Sequence, residues 1–247
     1  MYNLILVRHG QSQWNLENRF TGWYDSDLTK KGIEEAQQAG SLIKDLNINF
    51  NFAFTSFQKR AILTLDEINK KLDQSIKTII KAWELNERHY GALQGLNKEE
   101  TAKKHGEQQV KLWRRSYDIP PPAMDRSNPD HPVHYPIYKN INKDLIPDTE
   151  SLKDTFKRVI PYYDSKILPF LKKEKHLIIS AHGNSLRSLC KKIFNISDSA
   201  IVELEIPTGN PIHIKFKEEM RWFDPNEQEA IFEYLDIQLK QNFKKPL

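Results

Sequence analysis

The chain alternates short apolar runs with longer segments in which apolar residues recur at helical spacing. The short runs predict buried strands, because a strand covered on both faces is apolar without alternation. These predicted strands span residues 3–7, 50–54, 76–80, 176–181, 201–206 and 212–216. The helical spacing predicts helices over about 32–46, 61–72, 97–113, 150–173, 186–194 and 227–241. Prolines divide the segment 150–173 into two helical pieces.

Strands that alternate with helices predict an α/β fold. We expect a single domain over residues 1–247, with a mostly parallel sheet flanked by helices on both faces. Segment 117–149 breaks the alternation and is rich in proline. Such a segment is either an ordered loop over a site or a disordered insert. Its content of Tyr, His, Ile and Pro, rather than Gly and Ser, favours an ordered cover.

The composition is that of a globular protein, with 38% hydrophobic and 28% charged residues. The net charge is only +4, and no basic block stands out, so we expect no nucleic-acid partner. The chain has no apolar run of membrane-spanning length and no basic leader, so we expect a cytoplasmic protein without a membrane partner. The single cysteine, Cys190, excludes an internal disulfide, and we expect it to be a buried filler in its predicted helix.

Two predicted strands end in the same dipeptide. Residues 3–7 run into Arg8-His9-Gly10, and residues 176–181 run into His182-Gly183. Ligands bind beyond the carboxyl ends of strands in an open parallel sheet, so these ends can bring two imidazoles together at one edge. A single half-buried structural histidine is the plain alternative for either position.

Four arginines favour a phosphate as the ligand of this edge. Arg8 adjoins His9, Arg60 follows the second predicted strand, and Arg114 with Arg115 ends the predicted helix before segment 117–149. Arginine forks bind phosphate oxygens, whereas a guanidinium would repel a metal. No zinc-type spacing of Cys and His is present, so we expect no metal. Adjacent arginines at a helix end can equally be solvated charges.

The segment 84–95 follows the third predicted strand and contains the carboxylate Glu87. A lone carboxylate is a poor anion binder among arginines, but it is suited to carry a proton. A local ion pair between Glu87 and Arg88 is the alternative.

The motifs at residues 8–10 and 182–184 resemble the histidine phosphatase superfamily. More closely, the chain resembles the cofactor-dependent phosphoglycerate mutases. The likeness runs from residue 2 to about 215, and segment 85–98 is specific to the mutase branch. The segments that carry it are 8–15, 18–23, 55–61, 85–98, 113–115, 149–152, 181–187 and 206–209.

The resemblance implies a phosphoglycerate mutase-like fold that interconverts 2- and 3-phosphoglycerate in glycolysis and gluconeogenesis. His9 would be the nucleophile that carries the phosphoryl group, His182 would stabilise its charge, and Glu87 would move the proton of the substrate hydroxyl. The residues implied to hold the phosphoryl group are Arg8, Asn15, Arg60, Gly183 and Asn184. Those implied to bind the rest of the phosphoglycerate are Thr21, Gly22, Arg88, His89, Tyr90, Lys98, Arg114 and Arg115. The segment Gly10, Gln11, Ser12, Gln13 and Trp14 is also implied to bind substrate.

The resemblance further implies 2,3-bisphosphoglycerate as the primer that phosphorylates the enzyme, no metal, and a homo-oligomer, either a dimer or a tetramer. Segment 117–149 and the C-terminal tail would close the site against water. Three features depart from the family pattern. Gln11 stands where Glu is more usual, Gln58 is expected to be neutral for the chemistry, and the tail 217–247 is divergent.

Three other functions compete with the mutase. A bisphosphoglycerate synthase or phosphatase, or a broader phosphomonoesterase of the same superfamily, would share His9, His182 and Glu87. A non-catalytic binding protein on the same fold is disfavoured, because every expected catalytic residue is present. The residues at Ser12, Thr21 and Gly22 are of the mutase type rather than the synthase type.

Overall fold

The computed structural model describes residues 1–216 and 230–234. Its strands are β1 (Tyr2–Arg8), β2 (Phe52–Thr55), β3 (Thr78–Lys81), β4 (His176–Ala181), β5 (Pro211–Phe216) and β6 (Ala230–Tyr234). Its α-helices are α1 (Gln13–Leu16), α2 (Lys30–Lys44), α3 (Lys59–Lys71), α4 (Lys98–His105), α5 (Glu107–Arg115), α6 (Leu152–Tyr162), α7 (Leu168–Glu174), α8 (Gly183–Ile193) and α9 (Asp198–Ile201).

The strands form one sheet in the order β3-β2-β4-β1-β5-β6. The pairs β3-β2, β2-β4 and β4-β1 are parallel, and β5 and β6 are added antiparallel at one side. Strand β1 is central and carries an apolar core on each face. Ile5 and Val7 pack toward α2 and α3, whereas Leu4 and Leu6 belong to the core under α6, α7 and α8. This explains why its sequence is apolar without alternation.

The predicted α/β fold, with a mostly parallel sheet and helices on both faces, is confirmed. Five predicted strands are present, and each is shifted by no more than two residues at either end. The predicted division of 150–173 is also found. Helix α6 contains Pro161 near its end and passes through a π-helical turn, Tyr163–Ile167, into α7, where Pro169 lies in the first turn. A proline is tolerated there because the first turn needs no internal N–H donor.

The strand predicted over 201–206 is wrong. Helix α9 ends at Ile201, and the backbone that follows pairs with no strand. Leu204 and Ile206 are buried, as their apolar side chains suggest. Their carbonyl oxygens, however, accept hydrogen bonds from arginine side chains instead of from a neighbouring strand. Arg187 Nε donates to Leu204 O at 2.6 Å, and Arg8 Nη1 donates to Ile206 O at 2.7 Å.

Two predicted helices also need correction. The helix predicted over 97–113 is divided into α4 and α5 by Gly106. Its φ of +86° is incompatible with a right-handed helix and is readily adopted only by glycine. The helix predicted over 227–241 contains β6 instead, because Ala230–Tyr234 pairs with the free edge of β5. Apart from β6, the residues of this predicted helix lie outside the described part of the chain. The same holds for the tail 217–247, which was expected to help close the site.

Segment 117–149 is an ordered loop with three 3₁₀ turns, at Pro132–His134, Pro136–Tyr138 and Lys143–Leu145. Tyr138 and Ile146 pack with Trp23 in a small core of their own. The loop therefore contributes buried apolar surface, as its composition predicts. No helix in the described part of the chain is long and apolar enough to cross a membrane.

Candidate active site

His9 lies at the carboxyl end of β1 and is only 2% exposed. Its backbone N–H continues the ladder and donates to Ala181 O of β4 at 3.0 Å. The next residue, Gly10, passes so close to α2 that an added Cβ atom would lie 2.1 Å from Gly32 O. Glycine is required here for close approach, and this approach fixes the turn that presents His9.

The hydrogen bonds of His9 define its tautomer. Nδ1 lies 2.7 Å from Gly10 O, and a carbonyl oxygen can only accept, so Nδ1 carries the proton. Burial, followed by the charges of Arg60 and Arg8, holds the pKa of His9 well below its usual value. The ring is therefore neutral at neutral pH, and Nε2 presents a lone pair, as a nucleophile needs.

His182 lies at the end of β4 and caps α8, and it meets His9 as the two matching dipeptides predict. The ring centroids are 5.0 Å apart. His182 Nε2 lies 2.8 Å from Ser56 Oγ, at the end of β2. Burial, followed by the charge of Arg60, holds the pKa of His182 well below its usual value. The carboxyl ends of three parallel strands thus supply the centre of the site.

Arg60 lies in the first turn of α3 and is almost completely buried beside His9. It donates from Nη1 to Tyr24 O and from Nη2 to Gly22 O, both at 2.9 Å. Burial lowers its pKa to about 10, so it remains a cation at neutral pH. Gly22 has a φ of +54°, which allows its carbonyl to turn toward the guanidinium. The backbone thereby aims Arg60 at the histidine.

Glu87 lies in the loop after β3 and is 7% exposed. Its Oε1 accepts hydrogen bonds from Arg88 N at 2.7 Å, from Asn184 N at 3.2 Å and from Asn184 Nδ2 at 2.8 Å. Burial by itself raises the pKa of Glu87, but these hydrogen bonds and the charges of Arg8 and Arg60 leave it below the usual value. Glu87 is therefore ionised at neutral pH. Among the described residues no hydrogen bond ends on Oε2, so this oxygen is available to a ligand.

The backbone of the Glu87 loop is held from several sides. Arg158 of α6 forms an ion pair with Glu150 at 2.6 Å and donates to the carbonyl of Asn86 at 3.1 Å. Gln58 Oε1 accepts from Glu87 N at 2.8 Å, while Gln58 Nε2 donates to Gly22 O at 2.8 Å. Gln58 was expected to be neutral for the chemistry; in the structure its buried amide ties Glu87 to the turn that aims Arg60.

A cavity of about 110 Å³ opens in front of these groups. Twelve of the predicted site residues line it: Arg8, His9, Asn15, Thr21, Arg60, Glu87, Tyr90, Lys98, Arg114, Arg115, Gly183 and Asn184. Two of their buried polar atoms, Arg8 Nε and Thr21 Oγ1, have no hydrogen-bond partner in the described structure. The cavity is therefore provided with unused donors, as an anion site requires.

The other predicted residues do not line the cavity. They are Gly10, Gln11, Ser12, Gln13, Trp14, Gly22, Arg88, His89 and His182. Gln11 is turned away, because its Oε1 accepts from Thr29 at the start of α2. Gln13 is exposed and bonds to Glu17, and Trp14 stacks on Tyr24 with centroids 3.7 Å apart.

Several of these residues support the lining instead of forming it. Ser12 caps α1 and bonds to Asn15 Oδ1 at 3.0 Å. Arg88 lies over the ring of Tyr90 at 4.6 Å and donates to Arg114 O at 2.9 Å. His89 is buried and accepts from Gly91 N at 2.9 Å. The structure thus separates residues that can touch a ligand from those that position them.

Four lining residues were not predicted, namely Arg19, Phe20, Arg187 and Glu205. Arg187 could have been found, because it lies four residues after Gly183 on α8 and therefore on the same helix face. Glu205 carries no such signal, since its segment was predicted as a strand. No residue of segment 117–149 lines the cavity among the described residues; the loop packs behind the Glu87 loop, where Tyr138 Oη accepts from Asn86 Nδ2 at 3.0 Å.

The arrangement is that of a phosphoryl-transfer site. Seven cationic side chains line the cavity, against the two carboxylates Glu87 and Glu205. They surround a neutral histidine, whose Nε2 accepts only a long hydrogen bond of 3.3 Å from Arg60, and an ionised carboxylate with one free oxygen. Phosphoryl transfer depends mainly on positioning and charge neutralisation, and both are present. The described residues contain no group of three or more His, Cys, Asp or Glu placed to hold a metal ion.

Three solved structures share the fold of this chain. The chain is similar over most of its length to the mycobacterial glucosyl-3-phosphoglycerate phosphatase in a complex with VO3, with 15% identity, coverage of 95% of this chain and 97% of that chain, and a TM-score of 0.68. It is similar to the alpha-ribazole phosphatase from Shigella flexneri, with 18% identity, coverage of 94% and 95%, and a TM-score of 0.64. Bacillus stearothermophilus YhfR gives 19% identity, coverage of 87% and 92%, and a TM-score of 0.64.

These three likenesses show the fold. The family follows from the sequence itself, because the family model of the histidine phosphatase superfamily (branch 1) matches residues 4–131, more than half of the chain. The matched part contains His9, Arg60 and Glu87, three of the groups that meet in the cavity. The chain therefore belongs to branch 1 of the histidine phosphatase superfamily.

Proposed function

We propose that the chain is a phosphoglycerate mutase that interconverts 2- and 3-phosphoglycerate through a phosphohistidine at His9. The observation that carries the proposal is that two sets of cationic groups, from different elements, line one cavity. Arg8 and Arg60 adjoin His9, whereas Lys98, Arg114 and Arg115 come from α4 and α5. A ligand with a phosphate and a separate carboxylate fits such a pair of anion-binding regions.

In the proposed reaction, phosphorylated His9 gives its phosphoryl group to the free hydroxyl of the bound phosphoglycerate. The P–N bond breaks, a P–O bond forms, and the hydroxyl proton passes to Glu87 Oε2. His9 Nε2 then attacks the other phosphorus atom, and Glu87 returns the proton to the departing oxygen. Arg8 and Arg60 offset the charge on the transferring phosphoryl group, and His182, which is neutral, can assist only by donating a hydrogen bond to it. The first half-reaction leaves His9 free and Glu87 protonated. The second reverses both changes, so the two half-reactions together restore the phosphorylated enzyme and the ionised Glu87.

The lining suits a primer with several negative charges. The unused donors Arg8 Nε and Thr21 Oγ1, together with the outer cations Lys98, Arg114 and Arg115, could hold 2,3-bisphosphoglycerate. When bound, 2,3-bisphosphoglycerate would supply the phosphoryl group that primes His9. A neutral Nε2 on His9 is the group needed to receive it.

A phosphatase of the same superfamily is the second candidate. The named structural neighbours include phosphatases, which favours this reading, although their identity to the chain is only 15–18%. The same residues would serve, with water in place of the substrate hydroxyl as the acceptor. An open cavity of about 480 Å³ also shares Lys98, Arg114 and Arg115 with the site, and it would leave room for a larger alcohol group. A bisphosphoglycerate synthase would release 2,3-bisphosphoglycerate after the first half-reaction, so a different phosphoryl donor would have to phosphorylate His9 again.

A quenched assay separates the candidates. We would incubate the protein with 3-phosphoglycerate in EDTA, with and without a trace of 2,3-bisphosphoglycerate, then measure 2-phosphoglycerate and inorganic phosphate. Formation of 2-phosphoglycerate that is raised by the trace primer supports the mutase and its independence from metal. Release of phosphate without isomerisation would reject the mutase in favour of the phosphatase.

Two further properties remain proposals drawn from the family resemblance. We expect a homo-oligomer, which sedimentation of the purified protein would detect. We also expect a cytoplasmic location, which fractionation of cells would test.

A further inference from the structure

Two carboxylates line the cavity, and one of them, Glu205, has no role in the proposed reaction. It is 50% exposed and lies beside two cations of the lining, Arg115 and Arg187. One oxygen forms a close ion pair with Arg115 Nη2, and the other lies 3.4 Å from Arg187 Nη2. A negative group at this point partly satisfies cations that would otherwise face the ligand.

The Glu205 side chain is not needed to hold its own segment. The backbone on either side is fixed by Arg187 Nε donating to Leu204 O at 2.6 Å and by Arg8 Nη1 donating to Ile206 O at 2.7 Å. Leu204 and Ile206 are buried. The carboxylate can therefore leave Arg115 without unfolding the loop.

The two cations depend on Glu205 to different degrees. Arg187 also donates to Leu204 O and, at 3.2 Å, to Asn184 Oδ1, so two further contacts orient it. Arg115 is 35% exposed, and its ion pair with Glu205 is the contact that orients its guanidinium among the described residues. An anionic group of a ligand that approaches Arg115 must therefore compete with Glu205.

We propose that Glu205 is a specificity-determining residue that occupies the outer anion position at Arg115 and is displaced by the second anionic group of a ligand. The inference rests on the proposed function, since it assumes a ligand with a phosphate and a second anion. Glu205 weakens the binding of such ligands, and because affinity is mostly set by the dissociation rate, it also speeds their release. Ligands that carry only a phosphate gain or lose little from it.

Equilibrium binding to two ligands that cannot turn over tests this. Methylphosphonate carries one anionic group, and 3-phosphonopropionate carries a phosphonate and a carboxylate, both with a stable C–P bond. We would measure their dissociation constants by calorimetry for the wild type, Glu205→Gln and Glu205→Ala. The alanine variant is included because a glutamine amide oxygen can still accept from Arg115. Glu203→Gln is the matched control, since Glu203 is exposed in the same segment and outside the cavity.

The quantity compared is the ratio of the dissociation constant of methylphosphonate to that of 3-phosphonopropionate. We expect this ratio to be on the order of threefold to tenfold higher in both Glu205 variants than in the wild type, which is the effect of releasing a partly exposed ion pair. The Glu203 variant should leave this ratio unchanged. Weaker binding of 3-phosphonopropionate would show that Glu205 supports Arg115, and an unchanged ratio would show that it is a bystander; either result overturns the inference. Neither binding measurement involves turnover. The inference about Glu205 can therefore fail while the mutase assay succeeds, and the mutase assay can fail while the inference holds.

Discussion

Arg60 Nε lies 3.3 Å from His9 Nε2. The guanidinium is a donor only, so Nε2 must accept, in agreement with the proton that Gly10 O holds on Nδ1. The contact is longer than the usual N–H donor distance of about 3 Å, so attack on phosphorus has only a weak hydrogen bond to displace. The same cation that orients the lone pair of His9 is then placed to bind the phosphoryl oxygens that replace it.

Replacing His9 by Ala should abolish turnover and the phosphoenzyme. Loss of a nucleophile costs on the order of 10³-fold or more in rate. Turnover and acid-labile incorporation of phosphate from labelled 2,3-bisphosphoglycerate would be measured together. His134→Ala, an exposed position outside the cavity, is the control. Normal phosphoenzyme formation in the His9 variant would exclude a phosphohistidine at this position.

Replacing Glu87 by Gln should slow phosphoryl transfer by about 10² to 10⁴ and leave substrate binding largely intact. A glutamine oxygen can still accept from Arg88 N and Asn184, so the loop should hold its shape. Single-turnover rates and dissociation constants would be measured separately. Glu84→Gln, in the same loop but outside the lining, is the matched control. An equal loss of affinity and rate would instead assign Glu87 to binding.

Replacing both Arg114 and Arg115 by Ala should mainly raise KM for 3-phosphoglycerate. Each charge-assisted contact to an anion contributes about 1.5–3 kcal/mol, so removal of two should raise KM on the order of 10²-fold or more. The paired change of Lys103 and Lys104 to Ala is the control, because these adjacent cations of α4 line neither cavity. If KM did not change, the two arginines would be surface charges.

The stability of the fold should fall in mild acid because of His89. Burial, followed by the charges of His131 and Arg158, lowers the pKa of His89 to about 3. The unfolded chain binds a proton near pH 6.5 while the folded ring stays neutral, so the free energy of unfolding declines as the pH drops through that value. We expect His89 to account for a loss of about 1.4 kcal/mol between about pH 7.5 and about pH 5.5.

Urea unfolding of the wild type and His89→Asn at both pH values would measure this loss. An asparagine oxygen can replace His89 Nδ1 as the acceptor for Gly91 N, so the variant should fold. Its stability should fall by about 1.4 kcal/mol less than that of the wild type. His134→Asn is the exposed control. An equal decline in His89→Asn and the wild type would show that His89 takes up no proton on unfolding in this range.

Much of the candidate site could be predicted because strand ends are readable from the sequence. The apolar runs of β1 and β4 mark buried parallel strands, and such strands end at a common edge. His9 and His182 follow these runs directly, so their meeting follows from the pattern. Glu87 was predicted from its place after the third strand, and the family resemblance added Lys98 and Tyr90; the structure brings all three to the cavity.

Local patterns failed where distant groups decide the backbone. Segment 201–206 has the apolar residues of a strand, but Arg8 and Arg187 bind its carbonyl groups and give it another path. Residues 230–234 have the spacing of a helix, but the open edge of β5 pairs with them. Periodicity reports which side chains are buried, and it does not report which distant donors their backbone will meet.

The sequence by itself determined the α/β fold, the central strands and the two histidines at their ends, because these follow from apolar patterning along neighbouring residues. Only the tertiary structure decided the proton on Nδ1 of His9, the amide of Gln58 that ties Glu87 to Gly22, and the place of Glu205 beside Arg115. Each of these depends on the distance and direction between polar groups in the folded chain. Hydrogen bonds and ion pairs act over a few ångströms in space, and they leave no periodic mark along the sequence.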